Sequence, residues 1–267
     1  MNPDSLMVQS LSLSYQTSTE SVSVIKNISL QLKKGETIAL IGESGSGKTS
    51  LAKAMAGLIP SPKGSIFLTS SNTILTPDSR SYKKKIQLLF QNPDAVFNPK
   101  KTIQWHFDEV LSLWHPTSTK KEREKKILSY GESLELDPSV LSRFAFELSG
   151  GQKQRASLLR SLLVEPDFLL LDEPLASQDA TKKKCLLNLL KKLQSIHSLG
   201  YLYITHDLSS LGVFSDTIAV LYQGSLVEWS QRETLLANPV HPYTKKLLQA
   251  RLLPINDELR LREKTIQ

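Results

Sequence analysis

The sequence predicts an α/β fold built around a parallel sheet. Residues 38–41 are a short apolar run that leads into a glycine-rich loop, and residues 50–56 continue from that loop as a helix-forming segment. A second apolar run, residues 168–171, ends in two carboxylates, Asp172 and Glu173. Short runs that are apolar throughout are typical of strands buried on both faces, and such sheets bind ligands at the carboxyl ends of their strands. The candidate site is therefore expected at that edge.

The glycine-rich loop fits the phosphate-binding pattern G-x-x-x-x-G-K-[ST]. The matching residues are Gly42, Glu43, Ser44, Gly45, Ser46, Gly47, Lys48 and Thr49. The glycines let backbone N–H groups turn inward towards an anion. Lys48 can reach the β- and γ-phosphates as a point charge, and the Thr49 hydroxyl can coordinate Mg²⁺. Because a helix follows, its N-terminal dipole adds to the predicted anion site.

The composition is that of an ordinary globular chain. Its 267 residues, 40% of them hydrophobic, suffice for one large or two small domains. No apolar run approaches the roughly 20 residues that span a bilayer, and the first residues lack the features of a signal peptide. We therefore expect a cytosolic protein. Cys185 is the only cysteine, which excludes an intramolecular disulfide and a cysteine metal cluster, and we predict it as a core residue of a helix.

The net charge favours anionic ligands without indicating a nucleic-acid partner. Lys and Arg number 33 and Asp and Glu number 26, which gives +7, with basic clusters at residues 83–85, 120–126 and 182–184. Such a balance suits phosphates, lipid head groups or nucleic acid. Acidic residues interrupt the longest cluster, however, and no aromatic residues alternate with it as a nucleic-acid track requires. We interpret each cluster as solvated surface.

The N-terminal part predicts a small antiparallel sheet beside the core. Residues 6–32 alternate apolar and polar side chains with a period of two, typical of two or three strands. Tyr15 lies in this region, upstream of the phosphate loop. Its ring could stack on an adenine, a contact of about 1–3 kcal/mol by analogy with base stacking, or it could be a half-buried strand tyrosine.

The middle of the chain changes character after a strand. Residues 65–68 and 86–90 read as strands, and Gln91 follows the second of them. Residues 92 to about 160 then carry helical spacing and two tryptophans, which predicts a mostly helical subdomain. Near its end, residues 148–152 (Leu-Ser-Gly-Gly-Gln) precede a helix predicted at 153–164. A polar glycine pair at a helix start is a second anion surface, and one ATP cannot obviously use both within one chain.

The remaining elements complete the predicted site. Asp172 can hold Mg²⁺, and Glu173 can orient or deprotonate an attacking water. An amphipathic helix is predicted at 182–199, and a strand at 201–205 ends at His206, a candidate for reaching the γ-phosphate. Residues 218–222 and 225–229 predict a closing hairpin, and residues 231–267 read as helical, polar and peripheral.

Together these motifs resemble the set found in ATP-binding cassette (ABC) ATPases, over residues 6 to about 235. The matches are the Walker A loop at 42–49, the Q-loop glutamine Gln91, the LSGGQ signature at 148–152, Walker B with its glutamate at 169–173, the D-loop aspartate Asp179, the switch histidine His206 and the adenine-stacking Tyr15. The resemblance implies a P-loop NTPase (RecA-like) core, an antiparallel β subdomain and an inserted helical subdomain. It places the ATPase domain at 1–235, with the helical insertion at about 92–160, and a C-terminal extension at 236–267.

The resemblance also implies a mechanism. Two cassettes meet head to tail, so Ser149 and Gly151 would touch the γ-phosphate of ATP held by the partner, with Asp179 at the same interface. Glu173, His206 and Gln91 would be the catalytic residues. Thr49, Gln91 and Asp172 would hold the metal, and the cofactors would be ATP and Mg²⁺. This arrangement accounts for two anion surfaces in one chain.

A finer resemblance is to the ATPases of peptide and nickel importers. It rests on residues 90–93 (Phe-Gln-Asn-Pro), followed by Asn98-Pro99, and on residues 238–244 (Asn-Pro-Val-His-Pro-Tyr-Thr). The length resembles the shorter ATPase of a dipeptide or oligopeptide system. The implied partners are two transmembrane permease subunits, a second ABC ATPase and, indirectly, an external binding protein, at the cytoplasmic face of the cell membrane.

Two positions depart from the family pattern. Residues 176–179 read Ala-Ser-Gln-Asp rather than Ser-Ala-Leu-Asp, and Phe146 stands where these importers often have histidine. Two other functions remain open at this point. One is an accessory ATPase of a cytosolic enzyme assembly such as carbon–phosphorus lyase, whose ATPase also resembles this subfamily. The other is a DNA-repair or chromosome ATPase, although the chain lacks the long coiled coil of that class.

Overall fold

The computed structural model describes residues 4–16, 20–71, 73–174 and 180–252. Its strands are β1 (Ser5–Gln16), β2 (Ser21–Lys33), β3 (Thr37–Ile41), β4 (Ile66–Ser70), β5 (Thr73–Leu75), β6 (Ile86–Leu89), β7 (Phe168–Asp172), β8 (Gly200–Ile204), β9 (Thr217–Tyr222) and β10 (Ser225–Gln231). Its helices are α1 (Lys48–Met55), α2 (Arg80–Lys85), α3 (Ile103–Trp114), α4 (Lys120–Ser133), α5 (Gly150–Leu162), α6 (Ala180–His197), α7 (Leu211–Phe214), α8 (Arg232–Ala237) and α9 (Pro242–Leu252).

A six-stranded sheet forms the centre, in the order β10-β9-β3-β8-β7-β6. The pairs β3–β8, β3–β9, β6–β7 and β7–β8 are parallel, and β10 closes one edge antiparallel to β9. The predicted parallel strand before Asp172 and the predicted closing hairpin are both confirmed. Because β3 and β7 end at the same edge, the phosphate loop and the two carboxylates lie together there.

The N-terminal strands form a separate antiparallel sheet in the order β2-β1-β4-β5. The alternation read from residues 6–32 is confirmed as two long strands, β1 and β2, rather than three. The short edge strand β5 was not predicted. Its three residues, Thr73–Leu75, are mostly exposed and carry too little apolar signal for a pattern to reveal.

Two apolar cores cover the two faces of the central sheet. Ile38 and Leu40 of β3 face the antiparallel sheet and α1, whereas Ala39 and Ile41 belong to the core shared with the helices. Strands that bury side chains on both faces have no polar positions, which is why these runs are apolar throughout. Helices α3, α4 and α5 follow β6 and precede β7 in the chain, and they pack together in the core that includes Ala39 and Ile41. This agrees with the helical region predicted there.

Two sequence-based expectations are wrong. Cys185 is exposed on α6, because the buried face of that helix is carried by its leucines, such as Leu186 and Leu190. The segment after residue 231 is not wholly peripheral, since Tyr243 and Leu248 of α9 are buried in the core shared with the helices. Within the described ranges, no helix is long and apolar enough to cross a membrane.

Candidate functional site

The phosphate loop connects β3 to α1 and fits closely against its neighbours. A Cβ atom at Gly42 would lie 2.2 Å from the Leu221 carbonyl oxygen, so only glycine allows this approach. Gly47 has a φ of +106°, and a Cβ atom there would lie 2.8 Å from the Val24 carbonyl oxygen. The Gly224 amide, in the β9–β10 turn, donates to the Ser46 carbonyl. The loop is thus held by backbone groups that leave no room for side chains at these glycines.

Lys48 is the first residue of α1 and is only 7% exposed. Its ammonium nitrogen donates to the Glu43 carbonyl at 2.7 Å and to the Gly42 carbonyl at 3.0 Å. The side chain therefore folds back over the loop, with its charge inside the curve of the backbone. A buried cation at the start of a helix, beside a glycine-rich loop, is suited to hold a polyphosphate.

Thr49 and Asp172 form the predicted metal-binding pair. The Thr49 hydroxyl donates to Asp172 Oδ1 at 3.2 Å, although the two residues lie on different elements, α1 and β7. Burial raises the pKa of the Asp172 carboxyl; the Thr49 hydrogen bond opposes this shift, and the charge of Glu173 adds to it. A hydroxyl beside a carboxylate is a donor set that Mg²⁺ accepts, and a bound cation would favour the ionised carboxylate. These residues therefore fit the metal.

The three predicted catalytic residues meet at one oxygen atom. Glu173 Oε2 accepts a hydrogen bond from Gln91 Nε2 at 3.1 Å and lies 3.3 Å from Nδ1 of His206. These residues follow three neighbouring strands, β6, β7 and β8, at their carboxyl ends. Glu173 also has a φ of +47°, a left-handed conformation that costs a non-glycine residue on the order of 1–3 kcal/mol. The carboxylate is thus aimed by its backbone and by two side chains.

The turn after β8 holds His206 in place. The Asp207 amide donates to the Thr205 hydroxyl at 3.0 Å, and the Asp207 carboxylate pairs with Lys183 of α6 at 2.7 Å. Burial tends to raise the pKa of Asp207, but the Lys183 and Ser209 hydrogen bonds outweigh it and lower the pKa. The ion pair therefore persists at neutral pH and fixes the turn.

Tyr15 lies at the rim of the phosphate loop. Its hydroxyl donates to the Ser50 side chain of α1 at 3.2 Å, and the residue is 42% exposed. An aromatic ring anchored at one end and open on the surface beside the loop can receive a flat base. This geometry is compatible with both alternatives, a ring that stacks on a base and a half-buried strand tyrosine, because Tyr15 lies in β1 and is partly covered.

The signature segment begins α5. Ser149 is the N-cap of this helix: its hydroxyl accepts from the Gln152 amide, and the Gln152 side chain accepts from the Ser149 amide. A Cβ atom at Gly150 or Gly151 would meet nothing within 4 Å. Neither packing nor backbone conformation within this chain therefore requires these two glycines.

Two links from α5 to the site were not predicted from the sequence. Gln154 donates to the Pro174 carbonyl and so holds the chain just after Glu173. Lys153 pairs with Asp94 at 2.7 Å and so ties the same helix to the turn after Gln91. Both residues are polar positions on an amphipathic helix, where a pattern gives no signal. Asp179, predicted at the dimer interface, lies outside the described residues.

Tyr243 is a further contact that the sequence did not indicate. Its hydroxyl accepts a hydrogen bond from the Glu43 amide at 3.0 Å, so a C-terminal helix touches the phosphate loop. The only sequence signal was that Tyr243 lies in residues 238–244, which resemble a segment of peptide and nickel importer ATPases. That resemblance did not indicate a contact with the phosphate loop.

Comparison with known proteins gives one family. The family model described as ABC transporter matches residues 25–176, more than half of the chain. The oligopeptide transport ATP-binding protein OppF of Streptococcus pyogenes is 38% identical over 263 residues, which cover 97% of this chain and 85% of the relative. The oligopeptide transport ATP-binding protein AmiF of Streptococcus pneumoniae is 37% identical, with coverage of 97% and 85%. A putative peptide import ATP-binding protein of Brucella ovis is 36% identical, with coverage of 92% and 78%.

Solved structures give the fold. The ATP-binding cassette MJ0796, described as dimeric and bound to ADP and Pi in a post-hydrolysis state, matches with a TM-score of 0.73 at 24% identity, over 85% of this chain and 98% of that one. CbiO1 of Clostridium perfringens, described as part of the ABC transporter complex cbiONQ, matches with a TM-score of 0.73 at 23% identity, over 97% and 98%. At these identities the likeness concerns the fold, and it confirms the α/β cassette predicted above.

Proposed function

This chain belongs to the ABC transporter family, and on that premise we propose that it is the ATP-hydrolysing subunit of a peptide importer. The observation that carries the proposal is the convergence of Gln91 and His206 on the Glu173 carboxylate, beside the Thr49–Asp172 pair and the phosphate loop. These are the parts that hydrolysis of a phosphoanhydride needs: an anion site, a metal site and a positioned base.

The loop residues bind the triphosphate. Lys48 and the inward N–H groups compensate the phosphate charge, and Tyr15 stacks on the adenine. Thr49 and Asp172 hold Mg²⁺, with Gln91 completing the set, and the metal when bound neutralises charge on the β- and γ-phosphates. The side-chain carbonyl of Gln91 is available for this role because its amide nitrogen is the atom that faces Glu173.

Glu173 acts on the attacking water. Its carboxylate accepts a hydrogen bond from the water and takes its proton as the oxygen attacks the γ-phosphorus and the bond to ADP breaks. The products are ADP and inorganic phosphate. Gln91 and His206 hold the carboxylate in line, and the half-exposed His206 is the residue that we propose to reach the γ-phosphate.

A second chain completes each site. Gly150 and Gly151 are exposed at the start of α5 with open space around them, although glycine in a helix costs about 1 kcal/mol relative to alanine. A surface that another molecule approaches closely explains this use of glycine. We propose that Ser149 and Gly151 contact the γ-phosphate of ATP held by a partner cassette, with Asp179 at the same interface. The cassette MJ0796, which is described as dimeric, supports the pairing of two cassettes.

The names of the relatives support peptides as the cargo. OppF and AmiF are oligopeptide transport proteins, and the Brucella relative is a putative peptide import protein. We propose that this chain docks on two transmembrane permease subunits at the cytoplasmic face of the cell membrane, beside a second ABC ATPase, and that an external binding protein delivers the peptide. The accessory role in a cytosolic enzyme assembly is not favoured by these relatives.

We also propose the domain division given by the resemblance. Residues 1–235 form the ATPase domain, the helices around 92–160 form its inserted subdomain, and 236–267 form an extension. The buried Tyr243 indicates that this extension acts together with the ATPase domain rather than apart from it.

The test is a pull-down of the chain from membranes in mild detergent, with the partners identified by mass spectrometry. The proposal predicts two multi-span subunits and a second ATPase. The control is the same pull-down from the soluble fraction. Capture of soluble enzyme subunits alone, with no multi-span protein, would overturn the importer role and leave the ATPase chemistry in place.

A further inference from the structure

The helix α9 reaches the phosphate loop through the side chain of Tyr243. Tyr243 Oη accepts a hydrogen bond from the Glu43 amide at 3.0 Å, across 200 residues of sequence. The Tyr243 ring is 8% exposed and stacks on Tyr222, with ring centroids 4.1 Å apart and an interplanar angle of 27°. The hydroxyl is therefore carried on a ring that cannot swing freely.

The chain leading to Tyr243 is fixed as well. The Glu228 carboxylate, on β10, accepts from the Val240 amide at 2.8 Å and from the His241 amide at 3.0 Å. The Tyr243 amide in turn donates to Nδ1 of His241 at 3.2 Å. The start of α9 is thus clamped to the central sheet, and Tyr243 transmits that fixed position to the loop.

Tyr243 and Lys48 both contact the backbone of Glu43. The Glu43 amide is bound by Tyr243, and the Glu43 carbonyl is bound by the Lys48 ammonium at 2.7 Å. The two peptide units that flank Glu43 are therefore held by partners outside the loop's own backbone. A loop whose peptide groups are already oriented loses less conformational freedom when it closes on an anion, and so binds it more tightly.

We propose that Tyr243 is a positioning residue for the phosphate loop: its hydroxyl orients the Glu43 peptide and so raises the affinity for ATP. The inference rests on the proposed ATPase function and adds to it a role for the C-terminal segment. Because binding linkages are reciprocal, nucleotide in the loop must also strengthen the docking of α9. Displacement of α9 by any contact outside the site would lower the affinity for ATP.

The first test is Tyr243→Phe, which removes only the hydroxyl and keeps the stacked ring. We expect its Kd for AMP-PNP with Mg²⁺, measured by titration calorimetry, to rise about three- to tenfold, the loss of one hydrogen bond. The matched control is Tyr222→Phe, which makes the same change in the stacked partner, whose hydroxyl contacts the exposed Gln223 side chain. In hydrolysis assays the KM for ATP should rise for Tyr243→Phe alone, with kcat nearly unchanged.

The second test separates positioning from simple loss of stability. Hydrogen exchange of the α9 amides should slow when AMP-PNP binds to the wild type and should slow less in Tyr243→Phe, because the link is cut. A lower Tm in Tyr243→Phe with an unchanged Kd would show a purely structural role and overturn the inference. If the wild-type protein does not bind AMP-PNP, the proposed function itself is overturned. If the wild type binds AMP-PNP and Tyr243→Phe binds it with the same Kd, only the role of Tyr243 is overturned.

Discussion

Gln91 donates a hydrogen bond to the Glu173 carboxylate at 3.1 Å, across 82 residues of sequence. The two residues follow neighbouring parallel strands, so the sheet itself brings them together. His206, after the next strand, lies 3.3 Å from the same oxygen. One carboxylate oxygen thus has a neutral amide on one side and an imidazole on the other, a polar cluster suited to hold a water in line with a phosphate.

The first prediction concerns the base. Glu173→Gln keeps the size of the side chain but cannot take a proton, so ATP hydrolysis should slow about 100-fold or more while ATP binding is retained. Phosphate release and a binding titration measure the two quantities separately. Glu132→Gln, the same change at an exposed position of α4, serves as the control. Turnover at the wild-type rate in Glu173→Gln would remove Glu173 from its role.

The second prediction concerns the phosphate charge. Lys48→Ala removes the buried ammonium, so the affinity for ATP should fall about ten- to hundredfold, as expected for a hydrogen bond to a charged group. The control is Lys121→Ala on the exposed surface of α4, which should bind ATP normally. An unchanged Kd in Lys48→Ala would argue against the phosphate loop as the binding site.

The third prediction concerns the glycines of the signature. The Cβ atom that Gly151→Ala adds would have no neighbour within 4 Å, so the Tm of the variant should equal that of the wild type or lie slightly above it. Its ATPase activity should nevertheless fall at least several-fold, because the added methyl group obstructs the nucleotide of the partner chain. Gly212→Ala in α7 is the matched control, since a Cβ atom there also meets nothing within 4 Å. Full activity in Gly151→Ala would contradict a site completed by a second chain.

The fourth prediction concerns stability at the opposite edge of the sheet. Asp167 pairs with Lys34 at 2.6 Å and with Lys85, just before β7 begins. Burial tends to raise the pKa of Asp167, but hydrogen bonds and charges of the two lysines outweigh it and lower the pKa. A carboxyl whose pKa is lower in the folded state stabilises the fold above its unfolded pKa of about 3.9, and this contribution is lost as the pH falls through the folded value.

The free energy of unfolding of Asp167→Asn should therefore be about 1–2 kcal/mol lower than that of the wild type at pH 7, because the substitution leaves two partly buried ammonium groups without their partner. The difference from the wild type should shrink as the pH falls below about 4. Urea unfolding at several pH values measures this. Glu124→Gln, which breaks an exposed pair with Lys120, should change the stability by less than about 0.5 kcal/mol. A difference that grows towards acid pH would contradict the account.

The parts of the site that could be predicted from the sequence are those set by backbone chemistry. The glycines before Lys48, the apolar strand before Asp172 and the strand before His206 each leave a local pattern, and parallel strands then place their ends together. The sequence did not predict that Gln91 and His206 meet at one oxygen of Glu173. That depends on side-chain orientations set by turns such as the one that Asp207 and Lys183 hold.

The remaining differences have physical causes too. The prediction of Cys185 as a core residue is wrong because the leucines of α6 fix the buried face of the helix and leave Cys185 outside it. The polar residues around Tyr243 predict a peripheral segment, but its ring is buried. Only the tertiary fold brings its ring against Tyr222, and no spacing pattern records a contact between elements so far apart in the chain.

If Glu173 is the base of ATP hydrolysis and hydrolysis drives peptide import, loss of this carboxylate must stop uptake. The most direct test is uptake of a radiolabelled oligopeptide by cells in which this chain is replaced by Glu173→Gln, with Glu132→Gln as the control. We expect uptake to be lost with Glu173→Gln and kept with Glu132→Gln, while both proteins are present in the cells at the same level. Oligopeptide uptake at the wild-type rate with Glu173→Gln would contradict this expectation.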